Sequence, residues 1–428
     1  MNPKYDTIVF GGGTAGTIAA IQSARAGAST LLVEKNAMLG GTVTVGGINA
    51  PAHFFAWNTQ IIRGIGWELV RKTFDAMGEP YPTPAPTKNN PKPGHIYFDS
   101  NLYAIICDEA TLDAGVEILF HAMPATVKRI ENNWHVQICT KSGIKSVQTT
   151  TLIDATGDAN VVSIAGLELN RHKIVQPATL QMYCSGYDAD NLDYAQLKLA
   201  ADAAIARGEL KSTDISWYNN GPKGLLKKHG DNSNHIPSPD AETSEGKTKI
   251  EIEGRRSVMR AYRFLRAQPG LKNFTIDQIC SETAIRESVT IKGKKTVTAE
   301  DYEAAIHYDD ALCYAFFMID KHLDDGKGIL QRPLQHKTIP TIPRGALLPK
   351  NSRFLIVAGR CLSSDQDALS ALRVQCPCMA MGQAAGAMAA IAAKTGLEPE
   401  EQPIAMIHDL LREHGAIVPG DINPDSLE

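Results

Sequence analysis

A short apolar run at residues 7–10 meets Gly11-x-Gly13-x-x-Gly16, and a helical pattern rich in Ala and Ile follows to Ala26. No other stretch limits the fold as tightly. A strand that turns at once into a helix through three spaced glycines needs bare backbone. Gly11 permits the turn, Gly13 lets a phosphate reach the main chain, and Gly16 lets the helix lie close to the sheet. Gly27 sits where a helix ends, and residues 29–34 read as a second strand, completing a βαβ start. Glu34 lies eighteen residues after Gly16, at the strand end. A carboxylate there accepts hydrogen bonds from both hydroxyls of an adenosine ribose. A glycine-rich turn of an unrelated α/β fold is the other reading. Strand, helix and acid in this order favour a dinucleotide whose pyrophosphate rests on the helix start. Up to Glu34, NAD and FAD are equal choices.

The rest of the composition narrows the function classes. The 428 residues suggest two or three domains at about 150 residues each. Lys and Arg number 43 against 47 Asp and Glu, a net charge of −4. That balance lacks the basic excess of a nucleic-acid or anionic-lipid binder, so neither nucleic acid nor membrane is expected as a partner. Eleven of the 35 glycines fall within the first 66 residues, so the need for bare backbone is concentrated there. The eight cysteines include no C-x-x-C pair, and only Cys376 and Cys378 are close in sequence. They read as small buried residues in a reducing compartment, with no metal site expected. The polar start, residues 1–6, leads straight into a strand and does not resemble a signal peptide. The longest apolar stretch, 379–393, is short for a membrane span and contains Gln383. A cytoplasmic protein is expected.

Along the chain, a glycine-bearing loop runs to Ala52, and a helix is predicted at 66–77. Residues 78–98 carry Pro80, Pro82, Pro84, Pro86, Pro91 and Pro93, an extended connector or lid. A helix near 100–114 precedes four runs, 116–120, 125–130, 134–140 and 145–151, that read as a small antiparallel sheet. Residues 169–338 differ in texture, with amphipathic helices near 190–207, 255–267 and 299–324 and a polar loop at 227–249. A buried strand returns at 352–358, followed by a small-residue helix from Gly382. The predicted fold class is α/β: a doubly wound parallel-sheet domain (1–168 and 339–428) carrying an inserted α+β substrate domain (169–338).

Four further stretches carry a family resemblance. They are Leu39-Gly40-Gly41-Thr42, Ile153-Asp154-Ala155-Thr156-Gly157-Asp158, Phe354-Leu355-Ile356-Val357-Ala358-Gly359-Arg360 and Met381-Gly382-Gln383-Ala384-Ala385-Gly386. In this order they resemble the glutathione-reductase-like two-dinucleotide-fold flavoproteins, in the bacterial FAD-dependent oxidoreductase branch. The resemblance covers roughly 5–165 and 338–395. It thins between them, where Ala284-Ile285-Arg286-Glu287-Ser288 and Val297-Thr298-Ala299-Glu300-Asp301 still look like the branch.

The resemblance implies FAD as cofactor and assigns positions. Gly11, Gly13, Thr14, Ala15 and Gly16 would hold the pyrophosphate. Glu34 and Lys35 would lie at the ribose, and Gly40, Gly41 and Thr42 on the pyrophosphate and ribityl side. Ala155, Thr156 and Gly157 would lie near the adenosine half, and Gly359 and Arg360 by the ribityl or phosphate region. Gly382, Gln383 and Ala385 would face the flavin's pyrimidine edge, where a positive helix start favours the charge of reduced flavin. The family's adenine contact falls on Pro124, which has no N–H, so it is expected to move to Ala125. Ile342-Pro343-Arg344-Gly345 lacks the family's tyrosine, which removes the basis for giving Arg344 a substrate role. The loop after Gly40 lacks the histidine of covalent flavoproteins, so FAD is expected to be non-covalent. No second G-x-G-x-x-G follows a strand, which argues against a dedicated NAD(P)H domain.

Candidates on the substrate side are His53, Arg286, Glu287 and Arg373. His53 reads as a base near the flavin or as a loop histidine. Arg286 and Glu287 read as a carboxylate clamp or as a structural pair. Arg373 precedes the flavin-facing helix. His336 and Lys337 mark the return to the first domain, and Cys376 and Cys378 read as packing residues or a strained redox pair. The expected function is hydride transfer between a small organic substrate and non-covalent flavin. An NAD-dependent dehydrogenase and a tRNA-modifying or tRNA-binding flavoprotein are the alternatives.

Overall fold

The computed structural model describes residues 1–84, 96–323, 326–423 and 427. Part of the proline-rich connector, including Pro86, Pro91 and Pro93, lies outside the described residues. Strand β1 (Lys4–Phe10) and strand β2 (Thr30–Glu34) flank helix α1 (Thr14–Arg25), as the βαβ pattern predicts. β2 is buried throughout and β1 from Thr7 to Phe10, as expected of strands covered on both faces of a parallel sheet. β1 pairs in parallel with β2, and β2 pairs in parallel with β3 (Glu117–Phe120).

The four runs expected as a separate antiparallel sheet are not separate. β3 joins the parallel sheet, while β4 (Met123–Ile130), β5 (Asn133–Thr140) and β6 (Gly143–Asp154) form an antiparallel meander. β6 is the reason the two parts fuse. Its first half pairs with β5, and Gln148 to Asp154 pair in parallel with β1. Its last three residues also pair in parallel with the strand Leu355–Val357. One seven-stranded sheet results, and three chain segments far apart in sequence end at the same edge of it.

Helix α2 (Gln375–Thr395) lies against α1 at very short range. A Cβ on Gly382 would fall 2.2 Å from the Ala15 carbonyl oxygen, and one on Gly386 2.3 Å from that of Ala19. Among the described residues α2 alone is long and apolar enough to cross a membrane, and nearly all of it is buried inside the protein.

A second hydrophobic cluster runs from Ala178 to Ile285. It is built on a three-stranded sheet (Gly230–Asp231, Met182–Ser185, Thr275–Ile279) and the helices Tyr194–Ala206 and Ser244–Arg266. The second helix begins eleven residues before the expected 255 because Thr243 caps it, accepting from the Gly246 N–H at 3.0 Å. The first core claims Val289, Ile291, Val297 and Leu312, although the inserted unit was expected to reach 338. Pairing explains this: Val289–Ile291 joins Leu169–Arg171, and the Ile291 and Val297 N–H groups bond to Cys361 and Ser363. The helix expected at 299–324 is helical only at Ala299–Glu303. The apolar residues after it form the strands Ala311–Tyr314 and Ile319–His322.

Candidate active site

One cavity of about 870 Å³ runs from Glu34 at the end of β2 to His322. Its volume suits a nucleotide cofactor or a drug-sized ligand. At the Glu34 end the wall is backbone. Gly11 (φ +94°) donates to the Val33 carbonyl at 2.8 Å. Gly13 precedes α1, and no side chain caps that helix, so its first N–H groups are left for a ligand. A Cβ on Gly13 would meet only the Cα of Gly41, at 3.7 Å, so the space before it is open. Thr14, Ala15, Gly41 and Thr42 also line the cavity. Gly16 and Gly40 do not; they shape the cradle from behind. A Cβ on Gly16 would fall 1.8 Å from the Gly11 carbonyl oxygen, and the Gly40 N–H donates to Gly12 at 2.8 Å.

Glu34 is held by two main-chain donors. Gly12 N–H reaches Oε2 at 2.6 Å and Asn36 N–H reaches Oε1 at 2.8 Å. Burial raises its carboxyl above the ordinary range, opposed by those two N–H groups. Each oxygen keeps acceptor capacity toward the cavity, which is the placement a ribose diol requires. Lys35 lines the cavity beside it and pairs with Glu282.

The sheet edge supplies the next stretch of wall. Buried Asp154 accepts from the N–H groups of Thr156 (3.1 Å) and Val162 (3.0 Å) and from the Thr156 hydroxyl (2.7 Å). These bonds fix the turn Ala155-Thr156-Gly157, which faces the cavity. Gly157 (φ +79°) leaves room for Arg360, whose Cζ would lie 2.9 Å from a Cβ there. Arg360 pairs with Asp158 at 2.5 Å, and its Nε is buried with no partner. Gly359 lines the same wall. Ala125 does not; it is exposed, and Ala122, Met123 and Pro124 take the position expected for it.

The flavin-edge expectation needs the larger correction. α2 starts at Gln375, seven residues before Gly382, so Gly382 is mid-helix and offers no free N–H. Gly382, Gln383 and Ala385 lie off the cavity. Gln383 accepts from the Ile65 N–H at 3.0 Å and donates to Gln22 at 3.1 Å, joining elements within the core. The uncapped helix start that does face the cavity belongs to Val374 and Gln375, with Cys378 beside them. Pro377 contributes no N–H, so the donors of that turn are Gln375 and Cys376. Gln375 donates to the Ile48 carbonyl at 2.6 Å, and its Oε1 is buried without a partner. Burial raises the thiols of Cys376 and Cys378, the latter to about 12, and both are free.

At the far end the cavity reaches Arg286, Arg373, Asp320 and His322. His322 Nε2 lies 3.3 Å from Asp320 Oδ2, and His322 Nδ1 lies 2.8 Å from His235 Nε2. Burial pulls His322 down to about 3, helped by the charge of Arg286 and resisted by Asp320. Burial pushes Asp320 up, but bonds from His322 and Gln331 and the charge of Arg373 outweigh it and hold Asp320 near about 2. At neutral pH the imidazole is therefore uncharged and the carboxylate ionised. With Asp320 as acceptor, the His322 proton sits on Nε2, and Nδ1 accepts from His235.

Two sequence candidates lie elsewhere. Glu287 is buried off the cavity, accepting from the Gln176 N–H at 3.1 Å and Gln366 Nε2 at 2.7 Å, so it forms no pair with Arg286. His53 (φ +60°) does not line the cavity; its ring packs on Phe316 and Phe317 at 5.9 and 5.3 Å. His336 packs on Trp57 at 4.8 Å. Asp320, His322 and His235 escaped the sequence reading. The available signal was the two-residue spacing of Asp320 and His322, which puts both on one face of a strand and separates them on a helix.

The family model for FAD dependent oxidoreductases matches residues 6–411. The mitochondrial dihydrolipoyl dehydrogenase of Schizosaccharomyces pombe is 38% identical over 78 residues, 18% of this chain; the match covers only 15% of that protein's length. Among solved structures, a geranylgeranyl bacteriochlorophyll reductase-like protein from Thermoplasma acidophilum gives a TM-score of 0.46 at 14% identity, covering 96% of this chain and 83% of that one. AlpK gives 0.44 at 12% identity, covering 91% and 63%.

Proposed function

The chain belongs to the FAD-dependent oxidoreductase family, and from that premise we propose that it moves a hydride between a small organic substrate and non-covalently held FAD, with His322 handling the proton. The carrying observation is the continuity of one cavity from the glycine cradle at Glu34 to the Asp320–His322 pair. The residues fit the cofactor: an open cradle at Gly13 and Gly41, a buried acid at the ribose position, and an uncapped α2 start with an unpartnered Gln375 Oε1. The family match reaches the C-terminal segments that a lone NAD-binding unit leaves unexplained, which sets the NAD-dependent reading aside. When bound, FAD supplies the two-electron acceptor or donor.

The chain's own residues do the rest. The α1 start and Gly41 receive the pyrophosphate, and Glu34 the ribose hydroxyls. The Gln375 and Cys376 N–H groups stabilise negative charge at the ring edge. His322 takes the proton of a substrate C–OH or C–NH group at Nδ1, displacing the His235 N–H that Nδ1 accepts, and Asp320, bonded to Nε2–H, balances the imidazolium that forms. Until then His235 fixes the ring through its 2.8 Å contact. Eight unbridged cysteines support a reducing, cytoplasmic setting for the enzyme.

The test is anaerobic bleaching of the FAD-loaded protein with a panel of alcohols, sugars, amines and hydroxy acids. His322→Gln is expected to slow bleaching by the active compound about 10²-fold or more with flavin content unchanged. Bleaching at the wild-type rate refutes the role of His322.

A further inference from the structure

Resting on that reading of the cavity, we propose that Arg286 and Arg373 form an anion station and that the substrate is a small organic carboxylate. Arg286 is only 8% exposed and faces the cavity with five N–H donors. One of them is used, by the Pro177 carbonyl at 2.8 Å. Arg373 spends Nη2 on Gln176 Oε1 (3.0 Å) and the Asp320 carbonyl (3.2 Å), and its Nε is buried with no partner.

Among the described residues, neither arginine forms an ion pair. The nearby carboxylates hydrogen-bond elsewhere, Asp320 to His322 and Gln331 and Glu287 to the Gln176 N–H and Gln366, and act on the arginines by charge alone, Asp320 on both, Asp231 on Arg286 and Glu287 on Arg373. Two guanidinium groups therefore meet one cavity with no carboxylate paired to either. Burial pulls Arg286 down to about 9, and the charge of Arg373 adds to that pull. Unpaired buried charges of like sign are costly, and one anion between them relieves both. The planar fork of a guanidinium matches the two oxygens of a carboxylate.

This station also bears on His322. Burial first, and then the Arg286 and Arg373 charges, hold that imidazole's basicity down, while Asp320 raises it. A bound anion offsets the two arginine charges, so substrate binding raises the basicity of His322, though not the part that burial lowers.

The experiment uses the FAD-loaded protein and reads binding through flavin absorbance and tryptophan fluorescence. Trp217 lines the cavity and packs edge-on to His322 at 5.1 Å. Acetate, glycolate, pyruvate and benzoate are titrated against their neutral amides and against inorganic phosphate. Saturable binding of carboxylates without binding of amides is expected. Arg286→Met and Arg373→Met should each weaken it about tenfold or more at unchanged flavin content. Arg286→Lys should retain part of the affinity. Equal binding of amides, binding of phosphate without carboxylates, or unchanged affinity in both Met variants overturns the proposal. If a variant loses its flavin, the wild-type comparison of acids with amides still decides. Acetate and benzoate need no turnover, so this result stands apart from the bleaching experiment.

Discussion

Replacing Gly382 by alanine places a methyl group 2.2 Å from the carbonyl oxygen of Ala15. That oxygen belongs to the backbone of α1, so no side chain can swing aside. The helices must part by about 1 Å before the contact stops being repulsive. Against this stands the helix propensity gained on removing a mid-helix glycine, up to about 1 kcal/mol. Overpacking in a close-packed core costs about 1–3 kcal/mol, and a rigid backbone contact belongs at the upper end. Gly382→Ala is therefore expected to destabilise the apoprotein by about 2 kcal/mol net. The control is Gly13→Ala. Its Cβ meets only the Gly41 Cα, at 3.7 Å, and the Gly13 backbone is extended (φ −76°, ψ −167°). Stability should change by no more than about 0.5 kcal/mol, yet the methyl enters the space meant for the pyrophosphate and should weaken FAD about tenfold or more. Urea unfolding of both apoproteins, followed by FAD titration, reads the two effects separately. If Gly382→Ala leaves apoprotein stability intact and lowers only FAD affinity, then Gly382 touches the flavin and the packing account is wrong.

Two further outcomes follow from buried groups. His322 and His235 are held neutral, down to about 3 and about 2, by burial first and then by the charge of Arg286. The unfolded chain takes up these protons near pH about 6.5, while the folded one does not. Stability is therefore lost as pH falls below that value, by up to about 1.4 kcal/mol per pH unit for each histidine. Urea midpoints between pH 7 and 5 should fall more steeply for wild type than for His322→Gln, and equal slopes contradict the assignment. Of the eight free cysteines only Cys139 is exposed. A thiol reagent should find one fast group in the native protein and eight in denaturant. Fast reaction of Cys376 or Cys378 would restore them as redox candidates.

The parts of this site that could be read from the sequence are local ones. The turn from β1 into α1 and the acid ending β2 form within one βαβ unit, so glycine spacing and strand length suffice to place them. The lining positions Ala155, Thr156, Gly157, Gly359 and Arg360 followed from resemblance, because their meeting depends on β6 pairing with both β1 and Leu355–Val357. The start of α2 was misplaced for a physical reason. Glycines four apart mark close helix packing, and Gly382 and Gly386 do that against α1. Pro377, in the first turn, was the better sign of where the helix begins. Asp320 and His322 were hidden by a helix expectation over a segment that is strand. His235 meets them only through tertiary contact, 87 residues away in sequence.

The most direct measurement is the visible spectrum of the purified chain before and after addition of FAD, with NAD as competitor. The account predicts a bound-flavin spectrum at one FAD per chain, undisturbed by NAD. A protein that stays colourless with FAD, or that yields its site to NAD, contradicts it.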